Sequence, residues 1–130
     1  MYKPTGSWVA IPTPFNESGS IDWKGFEVLI DHHAAHGTST LLVMGSAGEV
    51  TMLTVEERRE IIKRVSKYAK GKIPVFFGAT FPTTEETIKF SQYAEAEGAD
   101  GLVYTAPPYL LPPQTALAEH LLACAKSVSI

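Results

Sequence analysis

The residues best suited to chemistry lie in one short stretch, Gly45-Ser46-Ala47-Gly48-Glu49. It follows the apolar run Leu41-Leu42-Val43-Met44, which reads as a buried parallel strand. Small side chains leave the backbone N–H groups of such a loop uncovered, and uncovered N–H groups near a helix start bind anions. Ser46 adds a hydroxyl, and Glu49 adds a carboxylate expected to hold loop N–H groups by hydrogen bonds. The chemistry indicated is the binding of a small anionic substrate. The plain alternative is a tight strand-to-helix turn that uses small residues for steric reasons alone. A second marked residue is Tyr109, set between Pro107-Pro108 and Pro112-Pro113. An aromatic on so stiff a loop is read as a site or interface residue rather than as packing.

Other reactive types read as structural. His32, His33 and His36 fall near the end of the first expected helix, where histidines compensate the helix dipole. His32 and His33 point about 100° apart and do not converge. Nothing supports a catalytic role for His120, and Cys124 belongs to an apolar stripe. With no C-x-x-C pair, no metal is expected.

These groups must be positioned by the elements around them, and the chain repeats one unit. Ser7-Trp8-Val9-Ala10-Ile11 is a β-rich run ending in Pro12-Thr13-Pro14, with a turn over Asn16 to Ser20. Asp22 is the expected N-cap of a helix with Trp23, Phe26 and Ile30 on one face, closed by Gly37. After the Gly45 loop, Thr54-Val55-Glu56-Glu57 forms a capping box, and Ile61, Ile62, Val65 and Ala69 make the apolar stripe of a second helix. Ile73 to Gly78 is a third strand, and Thr83-Thr84-Glu85-Glu86 is a second capping box for a helix ending at Gly98. Gly101 to Thr105 is a fourth strand, followed by a Pro-rich loop and a helix from about Thr115 through Cys124. Ser127-Val128-Ser129-Ile130 resembles the opening of a fifth strand.

Strand, loop, helix and glycine recur four times, which predicts a (βα)4 array on a parallel sheet. Two α/β architectures accept it: an open doubly wound sheet and a (β/α)8 (TIM) barrel. A dinucleotide-binding fold would place a G-x-G-x-x-G loop after the first strand; here the loop follows the second, and the pattern is missing. In a barrel the loops after the strands build the site, and those are the marked loops here. A complete barrel takes about 250 residues, so residues 1–130 are read as the N-terminal half of one barrel domain. Composition agrees with one soluble domain: 45% hydrophobic and 19% charged residues. Net charge is −3 and pI about 5.8, which leaves no basic footprint for nucleic acid or a membrane surface. The lone cysteine fits a reducing compartment, and no apolar run approaches the roughly 18 residues of a membrane span. A cytoplasmic protein is expected.

Gly45 to Glu49, followed by Leu53-Thr54 and Glu56-Glu57-Arg58, resembles the G-[ST]-[TS]-G-E…L-[ST]-x-E-E-R signature of the dihydrodipicolinate synthase / N-acetylneuraminate lyase family. Val9 to Phe15 is similar to that family's first strand, Asp22 to Gly37 to its first helix, and Ala106-Pro107-Pro108-Tyr109 with Pro112 and Gln114 to its fourth-strand loop. The motifs span the whole chain in the same order and at similar spacing.

The resemblance implies a pyruvate-dependent class I aldolase or related lyase on a (β/α)8 barrel, using no cofactor. In that family a sixth-strand lysine forms a Schiff base with pyruvate, and the derived enamine attacks an aldehyde. It implies that Ser46 belongs to a proton relay and that the Ser46 and Ala47 N–H groups hold the pyruvate carboxylate. It also implies a homodimer or homotetramer, with Tyr109 near a dimer interface and reaching into the neighbour's relay. Many members carry a second hydroxyl where this chain has Ala47, and dihydrodipicolinate synthases often show Tyr-Tyr where it has Pro108-Tyr109. These departures keep a sialic-acid or 2-keto-3-deoxy sugar-acid aldolase open beside dihydrodipicolinate synthase. A third possibility is a non-catalytic half-barrel that binds carboxylates or assembles. Lys3, Lys24, Lys63, Lys67, Lys70, Lys72, Lys89 and Lys126 all fall in expected helices or helix-adjacent loops. The Schiff-base lysine is therefore expected beyond Ile130, and the chain is read as part of a longer one.

Overall fold

Four strands alternate with four helices, and each boundary has a local cause. The computed structural model describes residues 5–130, so Lys3 lies outside the described residues. The elements run β1 (Trp8–Ala10), α1 (Trp23–Ala35), β2 (Thr40–Val43), α2 (Val55–Ala69), β3 (Val75–Gly78), α3 (Thr84–Ala96), β4 (Gly101–Val103) and α4 (Gln114–Lys126).

Side-chain caps begin the first three helices. Asp22 accepts a hydrogen bond from the Gly25 N–H at the start of α1. Thr54 and Glu57 form a complete capping box on α2: the Glu57 N–H donates to the Thr54 hydroxyl, and the Thr54 N–H to the Glu57 carboxylate. On α3 only one arm of the expected box reaches backbone. The Glu86 N–H donates to the Thr83 hydroxyl, but the Glu86 carboxylate accepts from that hydroxyl rather than from the Thr83 N–H. Gly37, Gly71 and Gly98 then turn the chain from each helix toward the next strand with φ of +78°, +79° and +87°. At those values a Cβ would be strained, so glycine closes these three connections cheaply.

All strands are parallel in the order β1-β2-β3-β4, so β1 and β4 are the edges of the sheet. Register pairs Val9 with Leu41, Leu41 with Val75, and Phe76 with Gly101. Leu41, Val43, Val75 and Phe77 therefore share the face that the helices cover, and all four are buried together with Ile30, Ile61, Ile62 and Val65. Each such side chain contributes roughly 1.5–3 kcal/mol on burial. The opposite face carries Trp8, Leu42, Phe76 and Val103, which are exposed or half-buried. Trp8 and Phe76 meet there with ring centroids 4.7 Å apart.

The four-unit array is present as expected, but one expected strand is not. Residues 128–130 form no ladder; the Ser129 N–H donates to the Glu95 carboxylate at 2.7 Å instead. A strand needs a neighbour's backbone for its N–H groups, and here a side chain on α3 takes that place.

Candidate functional site

The loop after β2 is shaped by a knot of backbone at its base. Met44 is fully buried and has φ of +57°, a left-handed conformation that bulky residues adopt at a cost. This turns the chain sharply out of the strand. Gly48 folds back over the knot; a Cβ there would stand 3.0 Å from the Met44 nitrogen. The loop closes itself with two short turns, Gly48 N–H to Gly45 carbonyl and Glu49 N–H to Ser46 carbonyl, both at 3.1 Å. Thr13, from the segment after β1, donates its hydroxyl to the Gly48 carbonyl at 2.7 Å. Glu49, at φ +52°, then leads into a single 3-10 turn, Val50–Met52.

Two donors remain. Ser46 and Ala47 are exposed at the tip, and among the described residues neither N–H donates to a protein acceptor. Adjacent outward amides are what an anion needs. The source of the donors differs from the sequence expectation in two ways. The start of α2 does not contribute, because the 3-10 turn separates it from the loop and its capping box engages its own N–H groups. Glu49 does not hold loop amides with its carboxylate; its side chain is exposed and makes no cap hydrogen bond. Its left-handed backbone, not its charge, shapes the loop.

The next loops along the sheet are tied to one another. The Thr105 N–H after β4 donates to the Thr80 hydroxyl after β3 at 2.9 Å. The Phe81 N–H donates to the Thr87 hydroxyl at 3.1 Å, anchoring the β3 loop to α3. Tyr104 donates to the Ser91 hydroxyl at 2.9 Å, and burial raises its phenol above the ordinary range despite that bond.

Tyr109 stands apart from this wall. It has φ of +70° and is 102% exposed, so its ring packs on nothing and makes no contact with Ser46 or Ala47. The structure thus brings Ser46 and Ala47 together and leaves Tyr109 pointing outward. Met44, Glu49 and Tyr109 are the non-glycine residues with positive φ among those described, and all three lie on loops that follow strands. Among the described residues, the non-glycine backbone strain thus lies at that end of the sheet.

Sequence reasoning passed over Arg58 as a site group. Its guanidinium lies 4.8 Å from the Phe81 ring centre, and its Nε is buried without a hydrogen-bond partner among the described residues. Burial lowers its pKa from the ordinary arginine value. The only sequence signal was its position as the last letter of the E-E-R motif. His32 and His36 stand at the C-terminal end of α1, as expected, one helical turn apart. Their rings stack 4.2 Å apart at 27°, and His36 Nδ1 bonds the His32 carbonyl at 2.7 Å, which makes the pair a helix C-cap. His120 joins Thr84 on α3 at 2.8 Å, and Cys124 is buried in the core as expected, which raises its thiol pKa.

The described lysines lie on helices or helix-to-strand connections, away from the strand ends. Three are paired there: Lys24 with Glu27, Lys72 with Asp31, and Lys89 with Glu85. Among the described residues no lysine faces the Ser46 loop. No helix among them is long and apolar enough to cross a membrane.

Comparison with known proteins identifies the family. Residues 3–129 match the dihydrodipicolinate synthetase family. A 4-hydroxy-tetrahydrodipicolinate synthase from Alcanivorax borkumensis is 38% identical over 125 residues, which is 96% of this chain and 42% of that protein. The crystal structure of dihydrodipicolinate synthase from Aquifex aeolicus superposes with a TM-score of 0.91 at 38% identity, over 96% of this chain and 42% of that one. The chloride-inhibited dihydrodipicolinate synthase from Acinetobacter baumannii, complexed with pyruvate, gives 0.90 at 35% identity, with 96% and 43% covered. The chain thus spans less than half the length of the relatives it matches, and its four units are the first βα units of a (β/α)8 barrel.

Proposed function

Because this chain belongs to the dihydrodipicolinate synthetase family, we propose that it supplies the carboxylate-binding wall of a pyruvate-dependent carbon–carbon lyase or synthase, most like 4-hydroxy-tetrahydrodipicolinate synthase. One observation carries the reading: Ser46 and Ala47 present two adjacent, unengaged N–H groups at the end of β2, where a barrel builds its site. In this reading those amides hold the carboxylate of a 2-keto acid, pyruvate, and the Ser46 hydroxyl passes a proton. Tyr109 reaches toward a second subunit of a homodimer or homotetramer. An aldehyde is the second substrate, and no cofactor takes part.

The lysine that forms the Schiff base is not among the described residues' strand ends, so residues 1–130 act as the N-terminal half of one barrel domain. Condensation of an amine with the keto carbon releases water and forms an iminium; the methyl carbon then loses a proton to give an enamine, and that carbon attacks the aldehyde. What this half contributes is orientation: fixing the carboxylate aims the keto carbon and its neighbour. A net charge of −3 supports a cytoplasmic protein that acts on small molecules rather than nucleic acid or membranes.

The sugar-acid alternative is not favoured. The curated relatives at 36–40% identity are 4-hydroxy-tetrahydrodipicolinate synthases, and the N-acetylneuraminate lyase from Proteus mirabilis, at 23% identity, shares the fold alone.

The test is borohydride trapping with pyruvate, read by intact mass, beside an amide-shift titration. The 130-residue chain should shift at Ser46 and Ala47 without gaining covalent mass; the same chain joined to a strand-borne lysine half from a relative should be trapped. A joined protein that folds yet neither shifts nor traps would leave only the non-catalytic half-barrel.

A further inference from the structure

We propose that Thr13 is the positioning residue of the carboxylate site: its hydroxyl, clamped on the Gly48 carbonyl, holds the Ser46 and Ala47 N–H groups outward. The inference rests on the reading of the Ser46 loop given above and adds a residue to it.

Thr13 is 4% exposed and lies between Pro12 and Pro14. Two pyrrolidine rings restrict the backbone on either side of it, so its side chain is delivered from a stiff support. Its Oγ1 donates to the Gly48 carbonyl at 2.7 Å across 35 residues of chain. Among the described residues this is the hydrogen bond that ties residues 45–49 to another strand–helix unit. The two turns inside the loop close it on itself and fix nothing relative to the sheet.

The loop needs such a clamp because it is strained at both ends. Met44 and Glu49, which bracket it, are non-glycine residues at φ +57° and +52°. Each would relax toward negative φ if the segment between them were free. Relaxation at either end rotates the peptide planes of residues 45–48, and with them the two donors. Gly48 sits at the crossing point, in contact with the Met44 backbone below and with Thr13 through its carbonyl. The Thr13 hydroxyl thus acts on substrate through Gly48, without touching it.

The experiment is a pyruvate titration of the 15N-labelled 130-residue chain, following the Ser46 and Ala47 amide resonances in wild type, Thr13→Val and Thr13→Ser. Valine keeps the shape and removes the donor; serine keeps the donor. Thr13→Val should weaken the apparent affinity by roughly three- to tenfold while resonances remote from residues 44–49 stay in place, and Thr13→Ser should restore it to within about twofold. Equal affinities in wild type and Thr13→Val would overturn the role of Thr13 and leave the carboxylate site standing. No pyruvate response in wild type would overturn the site and this inference with it. If Thr13→Val does not fold, Thr13→Cys takes its place, because a thiol is a weak donor; wild-type affinity in that variant would overturn the proposal equally.

Discussion

The carbonyl oxygen of Met44 occupies the space that a side chain on residue 78 would need. Met44 turns left-handed at the end of β2 and aims its carbonyl at β3, and β3 ends there in Gly78. The loop that holds Ser46 and Ala47 therefore depends on a glycine in the neighbouring strand. Gly78→Ala should destabilise the chain by about 2–3 kcal/mol, because the obstacle is backbone and cannot rotate away. Gly71→Ala is the control: its Cβ would meet nothing within 4 Å, and only its φ of +79° resists, so about 1–2 kcal/mol is expected. Urea denaturation of both variants checks the order, and equal losses would show that overlap with Met44 does not matter.

Ala47→Ser restores a hydroxyl beside the carboxylate wall. Ala47 is exposed at the loop tip, so the larger side chain meets no steric barrier. A hydrogen bond to a charged group is worth roughly 1.5–3 kcal/mol. Affinity for pyruvate should rise about tenfold in an amide-shift titration, with the unfolding midpoint unchanged. An unchanged affinity would mean that the carboxylate does not rest over residue 47.

Much of this was legible in the sequence, and the failures have physical reasons. Thr54 and Glu57 announced the start of α2 because a capping box is local chemistry. Gly37, Gly71 and Gly98 announced the helix ends for the same reason. The position of the Ser46 loop at a strand's C-terminal end followed from the repeat. The inner construction of that loop did not. Thr13 bonds Gly48 across 35 residues, and Met44 needs Gly78 from another strand; neither pairing leaves a trace in local pattern. Glu49 misled because a carboxylate beside amides invites a hydrogen bond, whereas its left-handed φ turns the side chain to solvent. The expected fifth strand is absent because the Ser129 N–H goes to the Glu95 carboxylate on α3 rather than to the open edge of β4.

Asp31 links α1 to the end of α2 and the approach to β3. Its carboxylate accepts from Lys72 Nζ and from the Tyr68 hydroxyl, each at 2.7 Å. These two hydrogen bonds, led by Lys72, hold its pKa below the ordinary 3.8. A group whose folded pKa is depressed stabilises the fold above its unfolded pKa, and that stability is lost as pH falls through the folded value. Wild type should therefore exceed Asp31→Asn in urea midpoint near pH 7, and the gap should narrow as pH falls below the ordinary carboxylate value of 3.8. Glu85, lowered by Lys89, titrates in the same acid range in both proteins and cancels in the comparison. A gap that persists at low pH would show that Asp31 contributes by packing, not by charge.

Tyr109 separates stability from assembly. Its side chain is wholly exposed and its backbone strained, so the fold gains nothing from the ring. Tyr109→Ala should leave the unfolding free energy from urea denaturation within about 0.5 kcal/mol of wild type. Leu110 and Leu111 beside it are exposed as well, which puts three large apolar side chains in succession on one loop. Solvated apolar runs of that kind mark contacts with another surface. If that surface is a second subunit, sedimentation should show weaker self-association for Tyr109→Ala at equal stability. A variant with unchanged self-association would place the ring outside the interface. A variant that lost stability instead would mean that the ring packs in solution, and the loop would then belong to the fold rather than to an assembly.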